Sequence, residues 1–312
     1  MPKSSPSLSV IIPVFNEEKN ITPLLERLIP IVKKCPYEII FVNDGSTDKT
    51  EELIKKESEK NKNIKLISFV RNFGHQMALT CGYQYAKGKV VISMDADLQD
   101  PPEVIDQMID KWQKGAKIVY GKRNQREGED WFKKITALFF YRLINFLSDV
   151  PIPTDVGDFR LLDREVVDFL NQLPERQRFL RGLVAWPGFK SDFVYFKRNK
   201  RFAGKTHYPF SKMLNFALEG IISFSVKPLR LASYLGFITA VIGFFGIIYA
   251  LYRRMFLPHQ YWVTGWTALF VAIMFIGGIQ LLTIGIIGEY IGKIYQQLQN
   301  RPFYIIKDKI NL

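Results

Sequence analysis

Val90-Val91-Ile92-Ser93-Met94 is a short β-branched run that passes at once into Asp95-Ala96-Asp97-Leu98-Gln99. A strand that is apolar at successive positions, instead of alternating with polar residues, is covered on both faces, as in parallel sheets. Outward from this stretch the pattern recurs at Leu8–Val14, Glu38–Asn43, Ile64–Val70 and Lys117–Gly121. Helix-like stretches lie between these runs at 17–34, 48–60, 75–86 and 102–114. Strands alternating with helices, joined by right-handed crossovers, predict an α/β fold with an open, doubly wound, mostly parallel sheet. Such sheets bind ligands at the carboxyl ends of their strands.

Chemistry-bearing residues follow each strand. They are Pro13, Phe15, Asn16 and Glu17 at the first, and Asp44-Gly45-Ser46-Thr47-Asp48 after the second. Arg71, Asn72, Gly74 and His75 follow the third, and Asp95, Asp97 and Gln99 the fourth. The chain has neither GxGxxG nor GxxxxGK[ST], which argues against a dinucleotide oxidoreductase and a P-loop NTPase. Two carboxylates spaced two residues apart at a strand end suit a hard divalent cation that keeps some waters and takes substrate phosphates. Gln99 offers a further neutral oxygen. Alone, an Asp-x-Asp loop reads as readily as a turn or a helix cap; Glu17 and Asp44 at neighbouring strand ends favour the metal.

The second half is basic and apolar. Residues 123–212 carry 17 Lys+Arg against 11 Asp+Glu, and residues 227–312 carry 8 against 2, out of a whole-chain net charge of +13. Leu231–Tyr252 and Val263–Gly288 are free of charged residues. Each exceeds the roughly 20 residues that cross a bilayer's hydrocarbon. Two buried core helices are the alternative, but uncharged runs of this length favour a transmembrane hairpin. Positive charge beside lipid-type spans points away from a nucleic-acid partner. With two spans both flanks share a side, and the Lys and Arg flanking the hairpin make it cytoplasmic. Stretches 131–147 and 208–228 mix aromatics with sparse charges and read as interfacial helices. Cys35 and Cys81 exclude a disulfide scaffold, and His75, His207 and His259 lack metal-site spacing.

The strings VIIPVFNE, VNDGSTD, RNFGHQMA, MDADLQDPPE and DVGDFRLLDR resemble those of the inverting glycosyltransferases of family 2, which have the GT-A fold. The resemblance covers residues 8–212 and is strongest to the polyisoprenyl-phosphate glycosyltransferases. It implies that Pro13, Phe15, Glu17, Asp44, Gly74, Asp95 and Ala96 bind a nucleotide sugar, and that Asp95, Asp97 and Gln99 hold Mg²⁺ or Mn²⁺. Asp97 and Asp158 become the candidate catalytic residues, Asp158 as a base or as an orienting group. Arg123, Arg201 and Lys205 become contacts for the acceptor phosphate; the alternative for the basic run 197–205 is attraction to anionic headgroups. Many relatives have Lys at position 75, where a His is mostly neutral at pH 7.

The resulting expectation is a cytoplasmic GT-A domain at 1–207, an interfacial helix at 208–228, a hairpin at 229–292 and a cytoplasmic tail at 293–312. The protein is expected in the plasma membrane, with both termini cytoplasmic. The reaction is inverting transfer of a hexose, glucose from UDP-glucose before mannose from GDP-mannose, to a polyisoprenyl phosphate. A non-catalytic nucleotide-sugar-binding membrane protein is the alternative. Glycines along the hairpin (Gly236, Gly243, Gly246, Gly277, Gly278, Gly285, Gly288) allow close helix packing, so a homo-oligomer is expected.

Overall fold

The computed structural model describes residues 7–123, 156–176, 178–197, 225–256 and 265–312. These fall into two compact units, the second formed by 225–256 and 265–300 and the first by the rest. In the first unit, described strands β1 (Leu8–Val14), β2 (Tyr37–Asn43), β3 (Ile64–Phe69), β4 (Val90–Ser93), β5 (Ile118–Arg123), β6 (Val156–Asp163), β7 (Ser191–Phe196) and β8 (Ile306–Ile310) share one sheet. Their order is β7-β5-β6-β4-β1-β2-β3-β8. The helices are α1 (Ile21–Val32), α2 (Thr50–Lys60), α3 (His75–Tyr85), α4 (Ile105–Gln113), α5 (Arg164–Gln172) and α6 (Leu180–Ala185).

The central strands are buried along their whole length, as their unbroken Val/Ile runs require. α1 turns Ile21, Leu24, Leu25, Leu28 and Val32 to the sheet, the spacing of one apolar helical face. Gly82 of α3 lies so close to β1 that an added Cβ would come within 2.2 Å of Ile11 Cγ2. Pro13 is accommodated because Ile11 C=O bonds toward β4 and Val14 C=O toward β2. By that alternation the missing N–H of Pro13 faces β4, whose pairing has already ended at Ser93.

The sheet is mostly parallel, as expected, with antiparallel pairing only at β6 and β8 among the described strands. β1 pairs in parallel with β2 and β4, β2 with β3, and β5 with β7. β6 runs antiparallel between β4 and β5, which places Arg160 opposite Ser93. The jump from β3 across β1 to β4 makes a topological switch point at the carboxyl ends of β1 and β4.

The last residues correct the expectation of a tail at 293–312. Ile306–Ile310 is an edge strand antiparallel to β3, with Ile306, Asp308 and Ile310 on the less exposed face and Lys307 and Lys309 on the open one. Lys55 pairs with Asp308 at 3.1 Å, Lys307 with Glu51 at 3.3 Å, and Asn311 donates to the carbonyls of Ser58 and Ile64. The Tyr304 ring stacks on Phe69. Five residues with three charges read as tail in sequence, yet charges are what a protected edge strand carries.

The second unit holds α7 (Lys227–Phe256) and α8 (Trp266–Leu298), which pack against each other. Both are long and apolar enough to cross a membrane. Phe237, Ile242, Phe245, Leu281 and Ile284 are all exposed along them, a surface suited to hydrocarbon. The expected interfacial helix at 131–147, and 208–224 of the second one, lie outside the described residues; 227 and 228 belong to α7.

Candidate active site

The β1 and β2 loops are stitched together by short polar side chains. Asn16 adopts φ +57° and accepts the Thr47 N–H at 2.8 Å, while its own N–H donates to Ser46 Oγ. Glu17 and Glu18 donate their N–H groups to Thr50 Oγ1 and Asp48 Oδ2. The Glu17 carboxylate accepts from Asn20 Nδ2. Phe15 projects from this frame with 45% of its surface exposed, open to stacking against a planar ligand.

Asp44 is buried, and its carboxylate accepts the main-chain N–H of Phe73 at 2.6 Å and of Gly74 at 2.9 Å. Burial raises its pKa despite these two bonds. It therefore shapes the β3–α3 loop as well as bordering the site. Gly45, at φ +73°, must be glycine on two counts, since a Cβ there would lie 2.5 Å from the Arg71 carbonyl carbon.

After β4, Asp95 is part-exposed and Asp97 is buried. Leu98 takes φ +60°, uncommon for a branched side chain, and the Gln99 N–H donates to Asp97 Oδ1 at 3.1 Å. Ala96 packs into the hydrophobic core, so only its main chain is available to a ligand. The Asp95 carboxyl is raised chiefly by burial, then by the charges of Asp158 and Asp97, with His75 and Arg123 opposing. Arg123 lies 3.5 Å from the buried Asp100, which places it beside the acid pair.

Asp158, at the start of β6, is buried between cations. Arg160 Nη2 donates to Oδ1, Arg181 Nη2 lies 3.3 Å from Oδ2, and His75 Nε2 lies 3.4 Å from Oδ2. Burial alone would raise this carboxyl, but His75, Arg160 and Arg181 hold it well below the usual carboxylate range. His75 Nε2 is also 3.7 Å from Asp95. Burial would lower the imidazole; the Asp158 hydrogen bond and the Asp95 charge outweigh it and raise the pKa. The two carboxylates thus shift His75 toward its protonated form.

Pro13 and Arg123 thus lie in the last residues of β1 and β5, Phe15, Glu17, Asp44, Gly74, Asp95, Asp97 and Gln99 follow strand ends, and Asp158 lies near the start of antiparallel β6, all toward the ligand-binding edge. Arg201 and Lys205 lie outside the described residues. Sequence reasoning missed Gln76, Asp100 and Arg181. Asp100 stood in the quoted DLQDP string, and Arg181 in a stretch that carries no recognisable spacing.

The profile of the family described as "Glycosyl transferase family 2" matches residues 9–170, just over half of the chain. The chain belongs to glycosyltransferase family 2. A further profile, the "GtrB C-terminal hairpin", matches residues 227–294 of this family 2 chain, covering α7 and most of α8. The chain is 46% identical over 301 residues to the glycosyltransferase YkcC of Bacillus subtilis, covering 96% of this chain and 93% of that one. It is 43% identical over 302 residues to the SfII prophage-derived bactoprenol glucosyl transferase of Shigella flexneri, covering 96% and 97%. A solved structure of glucosyl-3-phosphoglycerate synthase from Mycobacterium tuberculosis, with Mn²⁺, UDP and its product, aligns at TM-score 0.49 and 18% identity over 70% of this chain and 79% of that one. The family 2 sheet, with acids after β4 and a two-helix hairpin, has the GT-A architecture.

Proposed function

We propose that this family 2 enzyme transfers glucose from UDP-glucose to a polyisoprenyl phosphate, inverting the anomeric carbon to give a β-linked lipid-phosphate sugar. The observation that carries the reading is the end-to-end likeness, hairpin included, to a bactoprenol glucosyl transferase. A phosphate monoester already bears about −1.5 to −2 charge at neutral pH, so this acceptor needs little help from a base. Asp158 fits that chemistry. A carboxylate held ionised by two arginines and His75 is a weak proton acceptor, and its role here is to hold those cations in place.

Donor binding falls to Pro13, Phe15, Glu17 and Asp44 at the β1 and β2 ends, with Gly74 and the Ala96 main chain lining the neighbouring turns. Asp95, Asp97 and Gln99 would hold Mg²⁺ or Mn²⁺. Among the described residues no set of three His, Cys, Asp or Glu gathers for a cation; a divalent ion here would take its remaining ligands from water and substrate phosphates. Mutual repulsion within the Asp95, Asp97 and Asp158 carboxylates suits a bound cation. When bound, the metal supplies charge neutralisation of the departing diphosphate. Arg123, with Arg201 and Lys205, takes the acceptor phosphate.

The hairpin would anchor the enzyme in the plasma membrane with the catalytic domain and both termini on the cytoplasmic face. Support comes from the Lys and Arg residues that flank the hairpin.

The test is transfer of labelled sugar from UDP-glucose or GDP-mannose to polyprenyl phosphate by the purified full-length protein, with Mg²⁺ or Mn²⁺. Label from UDP-glucose in the lipid phase, lost on chelation and at least a hundredfold weaker in Asp97→Ala, is the expected result. Label from GDP-mannose alone reassigns the donor, and none from any donor overturns the reading.

A further inference from the structure

Asn20, at the head of α1, is only 2% exposed, although asparagine is mostly a surface residue. Before a helix it ordinarily serves as a cap, accepting an N–H of the first turn from an extended backbone. Asn20 does not do this. Its backbone is already helical, at φ −99° and ψ −21°, and its side chain makes no capping bond. Its Oδ1 is buried without a hydrogen-bond partner, an arrangement that costs stability and that an apolar side chain would avoid. The bond its side chain does make runs from Nδ2 to the carboxylate of Glu17.

That bond is not needed to hold the loop. The Glu17 main chain is tied on both sides, its N–H donating to Thr50 Oγ1 at 2.9 Å and its C=O accepting the Asn20 N–H at 2.9 Å. Further ties run from the Glu18 N–H to Asp48 Oδ2 at 3.2 Å and from the Thr47 N–H to Asn16 Oδ1 at 2.8 Å. The Asn20 amide therefore acts on the carboxylate and adds little to the loop. Being neutral, it restrains that group without cancelling its charge, so the oxygens remain strong acceptors. A long side chain ordered before its ligand arrives spares binding that entropy.

Building on the proposed function, in which Glu17 serves the donor nucleotide, we infer that Asn20 is a positioning residue that sets the Glu17 carboxylate to accept hydrogen bonds from the nucleoside. Buried beneath the loop, Asn20 itself meets no ligand.

Asn20→Leu keeps the branched outline and removes both the donor and the unpaired oxygen; Asn20→Ala removes the bulk as well. Full-length protein in detergent is titrated with UDP and Mg²⁺ by calorimetry, each variant alone and combined with Glu17→Ala. Where the heat is too small, the KM for the sugar nucleotide takes its place. Each Asn20 variant alone is expected to weaken UDP binding about five- to thirtyfold. In the Glu17→Ala background the same substitutions should change it less than about twofold, because the group they act through is gone. Equal losses in both backgrounds would mean that Asn20 shapes the loop and not the carboxylate, which overturns the inference. Unchanged affinity in the single variants overturns it too. If Asn20→Leu does not fold, Asn20→Ala carries the comparison, and if GDP binds in place of UDP the cycle is run with GDP. Wild-type protein that binds neither nucleotide fails the donor reading before any variant is compared, and the inference falls with it.

Discussion

Tyr304 lies flat against Phe69, with ring centroids 4.8 Å apart and planes 12° from parallel. Phe69 ends β3, and Tyr304 stands two residues before the start of β8, so the stack fixes where the final strand begins. Val70 N–H to Ile305 C=O, at 3.1 Å, closes the same corner. Tyr304→Ala is expected to destabilise the catalytic domain by about 1–3 kcal/mol, part from lost burial and part from the stack. The midpoint of urea unfolding reports it. Deleting 306–312 should cost more and expose β3 as an open edge, seen as aggregation in size-exclusion chromatography.

Asp44 has two amides to satisfy, from Phe73 and Gly74. In Asp44→Ala both lose their acceptor, at about 1–3 kcal/mol each when buried. The β3–α3 loop should loosen, and nucleotide affinity should fall along with the thermal midpoint. Asp44→Asn keeps one carbonyl oxygen and should fall between the two. Calorimetry with UDP beside a melting curve separates the loop effect from the binding effect.

Acid sensitivity is expected from Asp163. Burial would raise its carboxyl, but Trp112 Nε1, the Glu165 N–H and Lys117 Nζ all donate to it and together lower its pKa. A carboxyl lowered in the folded state binds fewer protons there than in the unfolded chain. Its contribution is complete above the ordinary value of about 3.9 and is lost as pH falls through the folded value. Asp163→Asn should lower stability at pH 7 and flatten the decline below pH 4, measured by denaturant midpoints across pH 2.5–7.

Cys81 should be chemically silent in the native enzyme. Burial pushes its thiol pKa up to about 12, leaving almost no thiolate at pH 8. Iodoacetamide at that pH should leave Cys81 unlabelled in folded protein and label it after unfolding, as read by mass spectrometry. Rapid native labelling would contradict its buried position on α3.

The strand frame was legible because β1 to β5 are continuous Val/Ile runs, and no other element of that length hides both faces. Asp95, Asp97 and Asp44 were legible for a related reason: polar residues directly after buried strands have the sheet edge as their place. Asp158 was found through the resemblance of its string, and its pairing with Arg160 was open to the same reading; His75 and Arg181 beside it were not. Arg160, two residues on and on the same face of β6, was available from strand periodicity. Arg181 reaches Asp158 from 23 residues away, through the placement of α6, and nothing local in sequence marks it. β8 was missed because its pattern is only five residues long and charged at the open positions.

The final strand also orders events at the ribosome. The edge of β3 is complete in sequence by residue 69, whereas its partner ends at residue 310. At a synthesis rate of about 5–20 residues per second, that edge waits roughly 10–50 s for its cover. Both apolar helices are made in the interval. The catalytic sheet therefore closes only after both long helices have been made, and a chain cut short within either of them leaves β3 as a bare edge strand.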